Sequence, residues 1–272
     1  MINSFILDDM IFSFSKIETF QRCPLCFHLQ YIKCYPSIEG CFGQYGSLIH
    51  DCLEKYALGE LAEYELLSYY KDNYNKFVTE SFPPNAYVDL GEKYYNQGYD
   101  YFESFDGYDD RKILAVEQEY KFKIGDYNFT GVIDLECPNE IIDTKTKAEQ
   151  HLTRLTKKHE PKENYIQMLD GRYIHKDNWK QLYMYSIPFK NKYGKYPNLL
   201  SLNMARVKDW YTVKFDEKLF KEAEQWAINK ITEIYNCEKF IRGNDTSDFW
   251  CEFVCSQRLN CKYSNSYLGV VE

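Results

Sequence analysis

The chain has 272 residues, of which 44% are hydrophobic and 27% charged, and its formal net charge is -8. This composition excludes a disordered chain, and the acidic balance argues against a protein that only coats nucleic acid, which would be basic. Neither a basic leader followed by an apolar run nor a membrane-length apolar stretch is present, so the expected location is the cytoplasm, or the host cytoplasm if the source is viral.

The first hundred residues read as helices. Ser15-x-x-Glu18 resembles a capping box opening a helix through Ile17 and Phe20. Pro24 should interrupt that helix, which resumes from Phe27 to Lys33. Further helices are expected over 43–58, 61–78 and 87–105. The pattern then turns to strands at 112–124, 127–136 and 140–146, rich in Val, Ile, Phe and Tyr, with Gly125-Asp126 and Pro138-Asn139 as the turns. A polar, basic stretch follows to about Lys162. A helix over 179–193, strands over 199–207 and 210–215, and a long helix over 217–241 precede a cysteine-rich tail. The expected organisation is a helical N-terminal region (1–110), an α/β core (111–243) and a tail (244–272).

Chemistry concentrates between the second and third strands. A hairpin centred on Pro138-Asn139 sets Asp134 opposite Asp143, and cross-strand partners lie roughly 5 Å apart at Cβ. Lys145, two residues on, shares the face of Asp143. The apolar Ile141-Ile142 just before it marks a buried strand that carries polar groups into a pocket. Two carboxylates suit Mg²⁺ or Mn²⁺, and a lysine beside them can orient a water and offset phosphate charge. Asp-x-Lys alone is short enough to be a solvated strand end. Glu117 and Glu119 on the first strand are possible extra acidic groups; alternation and solvent exposure explain at least one of them, and both stay outside the expected site.

With these residues in place, the sequence resembles the PD-(D/E)xK nuclease superfamily in its RecB-like branch, which includes CRISPR-associated exonucleases. Gly46-Ser47-Leu48-Ile49-His50 is similar to the branch's G-x-x-x-H motif, Gly131-x-x-Asp134 to its first acidic motif, Asp143-Thr144-Lys145 to its D-x-K, and Gln181-Leu182-Tyr183-Met184-Tyr185 to its Q-x-x-x-Y. The resemblance implies a restriction-endonuclease-like core, a mixed central sheet flanked by helices. It implies a metal site of His50, Asp134, Asp143 and the Thr144 carbonyl, with Lys145, Gln181 and Tyr185 completing the catalytic group. It also implies DNA cleavage, with a preference for single strands or ends, in recombination, repair, replication or spacer processing. No phosphate-binding loop is present, so a helicase or recombination protein would be a separate partner. The other readings are an inactive DNA-binding or adaptor subunit that retains the fold, and a nuclease directed at RNA, which the residues do not separate from DNA.

Ten cysteines without a secretory leader do not read as a disulfide framework. Cys251-x3-Cys255-x5-Cys261 suggests soft-metal ligation. By resemblance, Cys23, beside Pro24, joins these three around a [4Fe–4S] cluster. Cys26 is the alternative fourth ligand, and zinc the alternative metal, because the family's first gap is two residues and here it is three. The remaining cysteines read as buried or free thiols.

Between Lys145 and Lys180 nine basic residues face five acidic ones, a net +4. Lys147, Arg154, Lys157, Lys158 and Arg172 could track a phosphate backbone, and Tyr165, Tyr173 and Trp179 could stack on bases. A solvated loop is the equal alternative.

Overall fold

A computed structural model describes residues 6–147, 152–153, 163–244 and 246–269. Helix α1 is Phe14–Arg22, followed by a single turn α2, Pro24–Phe27, that runs into a wide turn over His28–Ile32. Three helices come next: α3 (Cys41–Ala57), α4 (Glu63–Phe77) and α5 (Leu90–Glu103). Strands β1 (Ala115–Ile124), β2 (Tyr127–Cys137) and β3 (Glu140–Lys145) precede three short ones, β4 (Leu152–Thr153), β5 (Tyr165–Gln167) and β6 (Tyr173–His175). Helix α6 (Lys180–Tyr193), strands β7 (Leu199–Met204) and β8 (Asp209–Lys214), and helix α7 (Glu217–Tyr235) complete the core.

The main sheet has the order β1-β2-β3-β7-β8, antiparallel except for the parallel pair β3–β7. This is the mixed, helix-flanked sheet of a restriction-endonuclease-like α/β fold. Strand β3 is central and buried on both faces, as its Ile141-Ile142 pair requires. Ile141 enters one hydrophobic core with α1, α6 and α7, while Ile142 enters the other with α3, α4 and α5. The β2–β3 register pairs Leu135 with Ile142 and Cys137 with Glu140, the hairpin centred on Pro138-Asn139. No helix among the described residues is long and apolar enough to cross a membrane.

Several boundaries differ from expectation, for local reasons. Helix α1 is capped by Ser13, whose hydroxyl accepts from the Lys16 N–H at 3.2 Å, so Ser15 lies inside the helix and forms no capping box. The last helix stops at Tyr235 rather than 241. Beyond it the chain turns back onto the N-terminus, where the Leu25 N–H donates to the Ile241 carbonyl at 3.0 Å. The basic stretch contributes a three-stranded sheet of order β4-β6-β5 that its polar sequence did not suggest.

The tail docks by close backbone approach. The Gly243 N–H donates to Cys23 Sγ at 3.4 Å, and a Cβ at Gly243 would lie 2.0 Å from the Arg22 carbonyl oxygen. Farther on, Arg258 pairs with Glu80 at 2.9 Å and buried Gln257 donates to Ser37 at 2.7 Å. Gly243→Ala is therefore expected to destabilise the protein by about 1–3 kcal/mol through overpacking. Urea unfolding checks this, and an unchanged midpoint would contradict the docking.

Candidate functional site

Five elements deliver polar side chains to one end of β3. Helix α3 buries Cys41, Tyr45, Leu48, Ile49 and Cys52 along one stripe, which leaves His50 at the stripe's edge, facing the sheet. His50 Nδ1 lies 3.5 Å from Glu117 Oε1 on β1 and 3.5 Å from Asp134 Oδ2 on β2. Its Nε2 lies 3.2 Å from the Thr144 carbonyl oxygen on β3. The Thr144 N–H donates to Asp134 Oδ2 at 2.7 Å and so fixes that carboxylate.

Asp143 and Lys145 occupy the other face of β3, toward α6. Lys145 Nζ is 2.6 Å from Asp143 Oδ2 and donates to Gln181 Oε1 at 2.8 Å. The Gln181 side-chain amide in turn donates to the Tyr185 hydroxyl at 3.2 Å, one helical turn away. The Tyr185 ring lies directly over Gly131, where a Cβ would come within 2.4 Å of it. The glycine three residues before Asp134 thus lets α6 settle close enough for Gln181 to reach Lys145.

Glu117 is the residue that sequence reasoning missed. It has φ 45°, a left-handed conformation rare for a non-glycine residue. Around it the β1–β2 ribbon exchanges faces. Val116 and Leu135 pack into one core, whereas Tyr120 and Ile133 pack into the other, although simple alternation would keep Ile133 and Leu135 together. The Glu117 and Asp134 pair sits at this crossover. The available clue was register: a hairpin turning at Gly125-Asp126 sets 117 opposite 134, in line with the Val116–Leu135 and Gln118–Ile133 pairs on either side.

The electrostatics follow from burial and proximity. Burial alone would lower the His50 pKa, but the hydrogen bond to Glu117 and the charges of Asp134 and Asp143 raise it to about 9. Burial, reinforced by the Asp143 charge, pushes Asp134 up to about 7. Burial opposes the charge of Lys145, yet Asp143 beside it keeps the ammonium above its ordinary value. Donor atoms of His50, Glu117 and Asp134 lie within 4.8 Å of one another. One imidazole with carboxylate and carbonyl oxygens is a donor set that fits Mg²⁺ or Mn²⁺.

The other expected contacts fare differently. Lys147 is exposed, within electrostatic reach of Lys145, Asp143 and the α1 residues Glu18 and Arg22. Arg172 is engaged by Asp170 at 2.5 Å and by Asp209, so its charge is already balanced. Trp179 is fully buried in the core, which removes it as a base-stacking platform. Tyr165 and Tyr173 lie half-buried in the small sheet. Arg154, Lys157 and Lys158 lie outside the described residues. Cys23, Cys26 and Cys255 pack together, with Cys26 and Cys255 Sγ atoms 3.5 Å apart. Cys251 is also buried, and Cys261 is partly exposed.

The two pKa shifts make stability depend on pH in the same direction. Raised from 3.8 to about 7, Asp134 favours folding at low pH and loses that contribution as pH rises across this window. Raised from 6.5 to about 9, His50 contributes fully below 6.5 and loses its contribution by about 9. Without divalent cation, the melting temperature is expected to fall between pH 6 and 9 more steeply in the native protein than in His50→Ala. Equal slopes would contradict the coupling.

A sequence model of the PD-(D/E)XK nuclease superfamily matches residues 11–265. No curated protein sequence matches the chain. Among solved structures, the chain is similar to a crystal structure from Eubacterium rectale described as a candidate exonuclease. Identity is 12% and the TM-score 0.51, over 88% of this chain and 86% of that one, a likeness of fold. The family match takes in the α3 histidine, the acidic hairpin, the Asp-x-Lys strand and the α6 glutamine and tyrosine, and the chain belongs to the PD-(D/E)XK nuclease superfamily.

Proposed function

We propose that the chain is a Mg²⁺- or Mn²⁺-dependent deoxyribonuclease of the RecB-like branch, an exonuclease acting on single strands or DNA ends. The observation that carries this reading is the convergence of His50, Glu117 and Asp134 beside the Asp143–Lys145 pair. A nuclease needs a cation and a separate fixed positive charge at the scissile phosphate, and these two groups are adjacent.

His50, Asp134 and Glu117 would hold the cation, with Asp143 and the Thr144 carbonyl beside them. Once bound, the cation would polarise a phosphoryl oxygen and lower the pKa of a water. Lys145 stays protonated, because Asp143 holds its charge, so it acts as an electrostatic partner of the developing phosphorane charge rather than as a base. Gln181 fixes the direction of the Lys145 ammonium, and Tyr185 fixes Gln181. The exposed Lys147 and the basic residues Arg154, Lys157 and Lys158 would guide the phosphate backbone. Recombination, repair, replication or spacer processing would supply such substrates, with any helicase a separate chain.

The cysteines support a structural [4Fe–4S] cluster held by Cys23, Cys251, Cys255 and Cys261, with Cys26 the alternative to Cys23. Cys23, Cys26 and Cys255 pack together where α1 and α2 meet the tail, and Cys251 is buried, surroundings that would suit soft-metal ligation. The Gly243 N–H directed at Cys23 Sγ is the polar contact that stabilises a thiolate ligand. Purified protein should be brown, with absorbance at roughly 400 nm. A colourless protein with stoichiometric zinc would replace iron in this assignment.

End-labelled single- and double-stranded DNA tests the main reading. Cleavage should require Mg²⁺ or Mn²⁺, release short products from one end, and vanish in Lys145→Ala and Asp134→Ala with the fold retained. Cleavage that persists in either variant refutes the mechanism. Tight DNA binding without cleavage by the native protein would favour the inactive adaptor.

A further inference from the structure

A cavity lies behind the carboxylates, lined by His50, Glu54, Tyr108, Glu117, Asp134 and Thr144 among others. Tyr108 reaches it from the loop before β1. Its side chain is 4% exposed, and its hydroxyl has no hydrogen-bond partner among the described residues. Burying a hydroxyl without a partner is costly, and phenylalanine would fill the same volume without that cost. Tyr45 also buries an unpartnered hydroxyl, but it does not line this cavity.

The ring of Tyr108 is held on three sides. Phe105 meets it edge-on at 5.5 Å, Tyr56 at 5.6 Å and Trp210 edge-on at 6.3 Å between centroids. Arg111 caps Trp210 in turn at 4.4 Å. A ring fixed in this way cannot swing its hydroxyl out to solvent. Asp134 and Glu117 line the same cavity, so the phenol shares it with both carboxylates. The cavity offers about 10 Å³ for the centre of a water molecule, close to the least that one water requires.

We propose that Tyr108 is a positioning residue, holding a single water in this cavity against the carboxylates of Glu117 and Asp134 and so orienting the cation-binding group from behind. The hydroxyl donates to or accepts from that water, and the water's remaining hydrogen bonds go to the carboxylates. Carboxylates that bind metals are themselves held by such outer partners. Among the described residues Glu117 has only His50, itself a proposed ligand, as a side-chain partner, since the Thr144 N–H serves Asp134. The inference rests on the cation reading of the site.

Tyr108→Phe tests it, with Tyr183→Phe as the control for a buried hydroxyl elsewhere. Mn²⁺ is titrated calorimetrically into the proteins freed of divalent cation, and thermal melts are recorded without divalent cation. Tyr108→Phe is expected to weaken Mn²⁺ binding about tenfold, to raise the Mn²⁺ concentration for half-maximal cleavage by the same factor, and to melt no lower than the native protein. Tyr183→Phe is expected to bind Mn²⁺ as the native protein does. Unchanged Mn²⁺ binding in Tyr108→Phe overturns the proposal. So does a melting temperature lowered together with binding, which would mark a packing role. If the native protein itself binds no Mn²⁺, the cation reading fails first and this inference fails with it.

Discussion

Carboxylates crowded into a protein interior repel one another and lose their hydration, so they must be compensated where they stand. That constraint organises the site. Asp134 is matched by the Thr144 N–H and His50, Asp143 by Lys145, and Glu117 by His50. The compensation is local and incomplete: the carboxylates hold His50 above its ordinary pKa, yet burial and the Asp143 charge still keep Asp134 raised. A divalent cation among these oxygens would relieve the remaining repulsion, so the crowding of carboxylates itself favours metal binding.

The surrounding fold supplies the rigidity this requires. Strand β3 is buried on both faces, so it presents Asp143 and Lys145 to one side and Thr144 to the other without freedom to twist. Helix α3 brings His50 to one face, and α6 brings Gln181 and Tyr185 to the other. The crossover of the β1–β2 ribbon falls at Glu117 and Asp134, the two carboxylates that face His50. Left-handed backbone at a non-glycine residue costs energy and persists where the surroundings over-determine it. Here the packing of Val116 and Leu135 on one side, and Tyr120 and Ile133 on the other, does so. At the far end, Cys23 and Cys26 of the N-terminal helices pack against Cys255 of the tail.

Much of this was legible in the sequence, because it depends on local pattern. Ile141-Ile142 before Asp143-x-Lys145, and the turn at Pro138-Asn139, fixed the central hairpin and its register. Gln181 and Tyr185 at helical spacing gave the α6 face. Glu117 was not legible from alternation, since the crossover that aims it is a product of packing on both faces of the ribbon. Trp179 read as a surface aromatic because it follows a polar run, yet it closes the core beneath α6. Arg172 read as part of a basic track, but the carboxylates that neutralise it include Asp209, distant in sequence. The cap at Ser13 rather than Ser15 turns on which hydroxyl reaches the Lys16 N–H, a distinction of a single residue.

In the proposed site, His50 of helix α3 and the hairpin carboxylates ligate one divalent cation. Pulsed electron paramagnetic resonance of the Mn²⁺-loaded protein tests it most directly, through the nuclear modulation of a coordinated imidazole nitrogen. The account predicts a single directly bound nitrogen in the native protein that disappears in His50→Ala while bound Mn²⁺ remains detectable at higher concentration. A native spectrum with only oxygen ligands, or an unchanged nitrogen signal in His50→Ala, would contradict it.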